Sequence, residues 1–308
     1  MKRTVALLLI LAMSAMLFSC GGASVTSDTS RSADSTLAPS TTKSPDIPVH
    51  SAVIPYADID FFGGKIEDNK GNITLEMQPE GVPESVSVKE KKIVFAGKEK
   101  TLPVLCVQTL GARVKGEFSE FENNKDFDAF VAENGGFSIE VFYLDNSTTA
   151  ASRGIVCSTE SIGGDSKRSG WGIAETAGGA PYFITGHTAE NVYSGVYAKE
   201  APKDEPVHVV GVYNAALKRN AIYVNGTLVS SDSAAGAFTS ANKTDVYGGF
   251  DMSTAFYIGA DPSSVAGKPE KCDFPSNDLM VLDVKFYACA LTEAEVGAAF
   301  KKSVSVFD

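Results

Sequence analysis

The sequence has few of the side chains from which metal centres and catalytic sites are most often built. Only three of its 308 residues are histidines, at positions 50, 187 and 208, which disfavours a metal centre made of several histidines. It also lacks a serine nucleophile elbow, a His-Glu-x-x-His helix and a glycine-rich phosphate loop. His208 begins an apolar run of strand length, where a packed role is favoured over a catalytic one.

Basic residues are scarce relative to acidic ones. The chain carries 27 Lys and Arg against 38 Asp and Glu, which gives a formal net charge of −11. A protein that binds nucleic acid neutralises phosphates with clustered cations. This charge balance therefore argues against a nucleic-acid partner.

The apolar run at the N-terminus is too short for a comfortable membrane span. It covers residues 5–18 after Lys2 and Arg3, as in an export signal. It leads into the letters LFSC at 17–20, which resemble the lipobox of bacterial lipoproteins. The resemblance implies cleavage before Cys20, acylation of that cysteine and an outward-facing, lipid-anchored protein on a bacterial cell envelope. An ordinary secretory leader is the alternative.

A polar segment follows Cys20 and precedes the region that we expect to fold. Residues 21–50 consist almost wholly of Ser, Thr, Ala, Asp, Gly and Pro, too few large apolar side chains to offset the entropy lost on ordering. We predict a signal peptide over residues 1–20, a disordered tether over 21–50 and one sandwich domain over 51–308. Membrane contact would then be made by the lipid anchor only.

Four more cysteines follow, at positions 106, 157, 272 and 289. Their spacing matches no zinc pattern. An oxidising compartment would allow disulfides, with three possible complete pairings. Three of the four lie in apolar runs of strand length, where reduced and buried thiols are the alternative.

Beyond residue 51, short apolar runs alternate with Gly, Asn, Asp and Pro. Eleven runs have strand length, from IDFFGG at 59–64 to MVLDVKFYACA at 280–290. Such a series without intervening helices predicts an all-β sandwich of two antiparallel sheets. A single short helix is predicted near the C-terminus, in ALTEAEVGAAFKK, where Thr292 and Glu295 have the spacing of a capping box.

One hairpin can be predicted in detail. Asn225-Gly226 separates two apolar runs and is a strong type I′ turn signal. Strand alternation predicts that Val210 and Val212 lie on one face together with Ile222 and Val224, and that Tyr213 and Tyr223 lie on the other.

Five segments of the folded region resemble one family and occur in the family's order. GFSIEVFYL at 136–144 is similar to the family strand FTIEAWV, and the runs at 208–213 and 222–226 are similar to HVA-x-Y and LYVNG. IGA at 258–260 and VLDVKFYACALTEAEV at 281–296 match the closing motifs IGA and IDEVRIYNRALSEEEV. On this series the chain resembles the laminin-G-like domains of the concanavalin A-like lectin and glucanase superfamily, which implies a jelly-roll sandwich.

This resemblance implies binding or hydrolysis of carbohydrate. Glucanases of the superfamily are retaining enzymes whose two carboxylates lie about 5 Å apart, on a Glu-x-Asp-x-Glu strand or a bulged version of it. Neither pattern occurs here. We therefore expect a non-catalytic binding protein, with an extracellular glycan as partner; a surface protein is the alternative partner.

The resemblance also implies one structural calcium ion, because sandwiches of this superfamily often bind one. Asp283 occupies the position of a family Asp on the closing strand, while Asp58, Asp60 and the carbonyl of Gly63 would supply further oxygens. The alternative is that Asp283 hydrogen-bonds backbone at a sheet edge. A second acidic segment, 68–72, is interpreted as a turn.

Sugar binding usually combines an aromatic face with nearby hydrogen-bonding groups. Trp171 is the only tryptophan and follows a polar loop that contains Arg168. Together with Tyr193 and Asp251 from two later loops, these residues form the predicted ligand-binding site. Packing between the two sheets is the alternative role for Trp171.

Overall fold

The computed structural model describes most of the chain from residue 53 onward. The described ranges are 53–62, 64–121, 124–148, 151–158, 160–162, 167–187, 192–198, 204–217, 219–231, 255–262, 272–273 and 275–308. Cys20, Gly63 and Asp251 lie outside them, as do the predicted signal peptide and tether. His50–Asp308 form one compact unit.

Strands dominate the described residues. In chain order the elements are β1 (Ala57–Phe62), β2 (Lys65–Asp68), β3 (Ile73–Gln78), β4 (Val86–Phe95), β5 (Lys98–Val107), β6 (Arg113–Phe118), α1 (Asn124–Glu133), β7 (Gly136–Asp145), β8 (Arg153–Cys157), β9 (Glu160–Ile162), β10 (Lys167–Glu175), β11 (Pro181–His187), β12 (Val192–Tyr197), β13 (Val207–Asn214), β14 (Arg219–Val224), β15 (Thr227–Ser231), β16 (Ala255–Ile258), β17 (Asp261–Pro262), β18 (Cys272–Asp273), β19 (Leu279–Tyr287) and α2 (Glu293–Val304).

The strands form two antiparallel sheets that pack face to face. The larger sheet has the order β15-β14-β13-β7-β19-β1-β2, and the β4–β5 hairpin joins it through β19. The smaller sheet has the order β12-β11-β10-β8-β16-β6-β3, with β9 attached to β10, and β17 pairs with β18 separately. This architecture confirms the predicted sandwich of two antiparallel sheets.

The main core lies between the two sheets because alternate residues of each strand point inward. Trp171 and Phe183 of the smaller sheet face Ile139 and Val141 of β7 there. Strand β7 is buried on its other face too, since its first eight residues are all inaccessible. Helix α2 supplies part of that outer cover, with Val296 in a cluster that includes Val210 and Tyr223. Because β7 is covered on both faces, its first eight residues, GFSIEVFY, include few polar side chains.

The predicted C-terminal helix is confirmed, and a second helix was missed. The Thr292 side chain accepts a hydrogen bond from the backbone of Glu295, and the Glu295 carboxylate accepts one from the Thr292 backbone, so the capping box is complete. Helix α1 was not predicted: it spans only ten residues, half of them polar, which is a short segment for a helical pattern. No helix in the described part of the chain is long and apolar enough to cross a membrane.

The Asn225-Gly226 hairpin is confirmed, but the predicted strand faces are wrong. Both turn residues have positive φ, 49° and 76°, as a type I′ turn requires. Gly211 pairs with Ile222, and Val210 pairs with Tyr223. Ile222 therefore points into the main core, and Val210 and Val212 lie on the opposite face beneath α2. The observed register thus differs by one residue from the predicted one, which exchanges the faces of β14 relative to β13.

Three of the cysteines, Cys106, Cys157 and Cys289, are thiols. Cys106 and Cys289 are free, and burial raises the pKa of both. The Cys157 sulfur donates to the Ile173 carbonyl oxygen at 3.3 Å. Cys272 lies in β18. Reduced, buried thiols are thus the outcome for Cys106 and Cys157.

Candidate functional site

A depression of about 320 Å³ opens on the outer face of the larger sheet. Strands β1, β5 and β19 and the end of α2 surround it, and β7 contributes to its floor. The lining residues are Asp58, Ile59, Asp60, Asn69, Leu102, Pro103, Phe142, Leu282, Asp283, Lys285, Lys302, Ser303 and Val306. This set combines hydrogen-bond donors, acceptors and an apolar patch.

Strand pairing brings the acidic residues to this depression. Strand β1 runs antiparallel to β19, with Asp58 opposite Lys285. Asp60 lies two residues further along β1, on the same face as Asp58. The pairing of β19 with β7 shifts by one residue between Val281 and Asp283, and such a bulge re-aims the side chains around it. The predicted residues Asp58, Asp60 and Asp283 are therefore brought together.

Beneath the depression lies a buried polar cluster centred on Glu140, which is 1% exposed. The His208 Nε2 atom lies 3.0 Å from its carboxylate, and Tyr287 donates to it at 2.5 Å. Ser303 on α2 donates to the same carboxylate at 2.7 Å, and the Lys285 ammonium lies 3.6 Å away. The cluster thus ties β7, β13, β19 and α2 together and fixes the helix that forms one wall of the depression.

Electrostatics keep Glu140 ionised. Burial alone would raise its pKa, but the hydrogen bond to His208 and the charge of Lys285 outweigh burial, so the pKa lies well below its ordinary value. Burial and the adjacent carboxylate raise the pKa of Tyr287 well above its ordinary value. His208 is completely buried, in agreement with the packed role that the sequence favoured. Glu140 is consequently a fixed anion rather than a proton donor.

The charges around Asp283 suit an internal ion pair better than a calcium ion. Lys285 donates to the Asp283 carboxylate, so a cation from the chain already neutralises this group. No group of three or more His, Cys, Asp or Glu side chains among the described residues has the arrangement of a metal site. Calcium binding by Asp58, Asp60, Asp283 and Gly63 stays a prediction.

The acidic segment 68–72 is a turn, as interpreted from the sequence. The carboxylate of Asp68 accepts hydrogen bonds from the backbone amides of Asp58, Lys70, Asn72 and Ile73 at 2.7–3.0 Å. Four backbone donors occupy its oxygens, which leaves it unsuited to bind a cation.

The predicted sugar-contacting residues do not form one site in the described structure. Trp171 is 1% exposed and packs against Phe137, Phe256 and Phe286 between the sheets. A ring that is enclosed on all sides has no face for a ligand, so Trp171 is corrected to a core residue. Arg168 lies in β10 and Tyr193 in β12, while Asp251 is outside the described residues.

A second buried ionic cluster, which sequence reasoning missed, links the two sheets. Arg153 on β8 binds Asp145 on β7, and its other nitrogen lies 2.7 Å from the Glu175 carboxylate on β10. Tyr143 donates to Glu175 at 2.9 Å. All of these side chains are at most 5% exposed. Burial and the charge of Asp145 raise the pKa of Glu175 to about 7, despite Arg153.

Both clusters contain charged residues that stand out in the sequence because they lie within apolar runs of strand length. Glu140, Arg153 and Glu175 each lie in a run that otherwise reads as a buried strand. A charged group in such a run must find a partner, because burying an unpaired charge is costly. The sequence therefore marks these three residues, whereas the identity of their partners depends on strand pairing.

A match to a family model identifies the family to which this sandwich belongs. The Laminin_G_3 model, described as the concanavalin A-like lectin/glucanases superfamily, matches residues 122–297. The chain belongs to this family. The Laminin_G_3 match covers the strands that carry both buried clusters and the closing strand beside the depression, and it confirms the resemblance drawn from the sequence motifs.

Solved structures with the same fold are remote in sequence. The binding domain of botulinum neurotoxin serotype D has a TM-score of 0.53 at 10% identity, over 80% of this chain and 51% of that domain. The binding domain of serotype D/C has a TM-score of 0.50 at 12% identity, over 81% of this chain and 52% of that domain. This Laminin_G_3 chain therefore spans about half the length of those domains, and at such identities the likeness shows the fold. No curated protein sequence matches the chain.

Proposed function

We propose that this chain is a lipid-anchored, extracytoplasmic binding protein whose Laminin_G_3 domain recognises a carbohydrate without hydrolysing it. Its superfamily includes lectins, and the two structural neighbours described above are named as binding domains. The signal-like run and lipobox-like letters before Cys20 support the anchor, and the polar segment 21–50 supports a tether that holds the domain away from the membrane.

The depression is the observation that carries the proposal. Its volume of about 320 Å³ lies within the roughly 300–1,000 Å³ that is usual for small-ligand sites. Asp58 and Asp60 offer acceptors, Lys302 offers donors and Asn69 offers both. Leu102 and the neighbouring proline supply an apolar patch. A sugar presents hydroxyl groups and apolar C–H faces together, so this lining is complementary to one.

Two of the carboxylates at or beneath the depression, Glu140 and Asp283, favour binding over hydrolysis. A retaining glycosidase needs one protonated and one ionised carboxyl group beside the scissile bond. Glu140 is buried and held ionised, and Asp283 is bound by Lys285. Neither group is placed to donate a proton to a substrate in the depression.

A glycan array probed with the purified protein tests the proposal. We expect specific binding that Asp60→Asn weakens by about tenfold or more, because a hydrogen bond to a charged group contributes about 1.5–3 kcal/mol. Glu76→Gln is the matched control, since this carboxylate is exposed on β3 of the smaller sheet and does not line the depression.

Two results would overturn the proposal. Absence of glycan binding, with recovery of a specific protein that depends on Asp60, would establish the protein-binding alternative. Hydrolysis of a β-glucan, abolished by removal of one carboxylate, would make the chain an enzyme.

A further inference from the structure

Four side chains of the same charge lie on one face of the β4–β5 hairpin: Lys89, Lys91, Lys98 and Lys100. They share this face with Ile93 and Val104, which pack against Phe307 on the outer side of the larger sheet. Both strands are described throughout, and neither places an acidic residue on this face. We call these four lysines the cationic face.

The opposite face of the same hairpin carries charges of both signs. There Lys92 lies 2.8 Å from Glu99, and Glu90, two residues before Lys92, shares their face. Lysines that only protect a strand edge from pairing with another chain need no common face. The sorting of four lysines onto one face therefore indicates a surface that receives negative charge.

Most of this positive charge is not neutralised by the chain itself. Lys91 makes no hydrogen bond or ion pair with another described residue, and Lys100 donates to a backbone carbonyl. Lys89 lies 3.9 Å from Glu84, whose side chain is 83% exposed and therefore well hydrated. Among the four, Lys98 has a close acidic partner, at 2.5 Å. At least three of the four ammonium groups can thus interact with an anion from outside.

The cationic face adjoins the depression. Leu102, which lies on the same face of β5 as the lysines, lines the depression together with Lys302 at the end of α2. Because a strand rises about 3.4 Å per residue, neighbours on one face such as Lys89 and Lys91 are about 7 Å apart. A ligand chain that leaves the depression over Leu102 therefore passes along a row of spaced cations.

This row lies outside the part of the chain that the family model matches. The hairpin ends at Val107, whereas the Laminin_G_3 match covers residues 122–297. Lys302 follows the end of that match. The cationic face is therefore a property of this chain that membership of the family does not imply.

We propose that the glycan is an acidic polysaccharide, with one unit in the depression and the uronate carboxylates of adjoining units against the cationic face. This inference rests on the proposed carbohydrate-binding function and names the class of its ligand. Asp58 and Asp60 line the depression and would repel a carboxylate there, so the anionic groups belong on the hairpin. The net charge of −11 does not prevent this, because charges more than about 8 Å away are largely screened at physiological salt.

Titration of the purified protein with two polyuronates, polygalacturonate and alginate, tests the proposal, and the same polymers after reduction of their carboxyl groups are the neutral probes. At least one polyuronate should bind more tightly than its reduced form and should lose affinity as the salt concentration rises. The double variant Lys89→Gln, Lys91→Gln should bind it about two- to thirtyfold more weakly, because each exposed ion pair contributes about 0.2–1 kcal/mol.

The double variant Lys92→Gln, Lys115→Gln is the matched control, because it removes the same net charge from other places. Lys92 lies on the opposite face of the hairpin and Lys115 on the smaller sheet, and each forms an ion pair with a glutamate. This variant should stay within about twofold of wild type. Equal weakening in the two double variants would show that net charge alone is responsible and would refute the cationic face.

The remaining outcomes separate this inference from the proposed function. If a neutral glycan binds through Asp60 and neither polyuronate binds, the cationic face is refuted while the proposed function stands. If vesicles of anionic phospholipid bind through Lys89 and Lys91 and the polyuronates do not, the face recognises a membrane surface and the acidic polysaccharide is ruled out. If no glycan of either kind binds, the cationic face and the proposed function fail together.

Discussion

Replacing Glu175 by glutamine should remove a pH dependence of stability that this carboxyl group creates. Glu175 shares the single guanidinium of Arg153 with Asp145, in a cluster enclosed between the two sheets. Burial and the neighbouring carboxylate disfavour its ionised form and raise its pKa from 4.5 to about 7. The folded protein therefore holds a proton, between about pH 4.5 and 7, that the unfolded chain releases.

The sign and size of the effect follow from that difference. A group whose pKa is raised by folding stabilises the protein below its unfolded pKa, and the contribution is lost as the pH rises through the folded value. The shift from 4.5 to about 7 corresponds to about 3–4 kcal/mol, at about 1.4 kcal/mol per pH unit. We expect the free energy of unfolding to fall by about 2–3 kcal/mol between pH 5 and pH 8. Glu140 does not contribute in this window, since its pKa lies far below it.

Urea unfolding at pH 5, 6.5 and 8 measures this loss, and the buried Trp171 provides the fluorescence signal. Glu175→Gln mimics the protonated carboxyl, so its free energy of unfolding should lack this component of the pH dependence. Glu67→Gln, at an exposed position on β2, is the matched control and should behave as wild type. An equal pH slope in wild type and Glu175→Gln would refute the assignment of the proton to Glu175.

Three further outcomes are expected. Cells fed a labelled fatty acid should label wild type but not Cys20→Ala, and a labelled variant would rule out acylation at this residue. The calcium ion that the family resemblance implies should raise the melting temperature above that in chelator, and Asp283→Asn should abolish the rise; equal melting temperatures in chelator and in calcium would leave Asp283 with its ion pair to Lys285 alone. Glu140→Ala should lower the free energy of unfolding by about 3–5 kcal/mol, because it leaves buried cationic and polar partners unpaired, while Glu67→Ala should change it by about 0.5 kcal/mol or less. Equal losses in urea unfolding of both variants would contradict the role of the buried cluster.

Features that depend on a few adjacent residues were predictable from the sequence. Strand positions follow from alternation, and the turn at Asn225-Gly226 follows from the tolerance of both residues for positive φ. The capping box of α2 needs only Thr292 and Glu295 three residues apart. Each of these signals is complete within one segment, so no knowledge of the tertiary contacts is needed to use it.

Features that depend on pairing between distant segments were not predictable in the same way. The faces of β13 and β14 were matched wrongly, because alternation within each strand does not fix the register between the two strands. Trp171 was assigned to a ligand site from its polar neighbours in the chain, but its position in β10 turns the ring toward the other sheet. For the same reason the depression was not predicted. Asp58, Asp60 and Asp283 were named as calcium ligands and not as part of a sugar site, and the contribution of α2 was not foreseen.

The position of α2 links the stability of the domain to its proposed binding site. The helix contributes Lys302 and Ser303 to the wall of the depression, and Ser303 also donates to the buried Glu140. A ligand in the depression therefore contacts the helix in its docked position, which the hydrogen bond from Ser303 to Glu140 helps to hold. Because a ligand that binds only the folded state stabilises it by mass action, a glycan bound at this wall should raise the melting temperature of wild type more than that of Ser303→Ala. An equal rise in melting temperature for wild type and Ser303→Ala would show that ligand binding does not depend on the contact between Ser303 and Glu140.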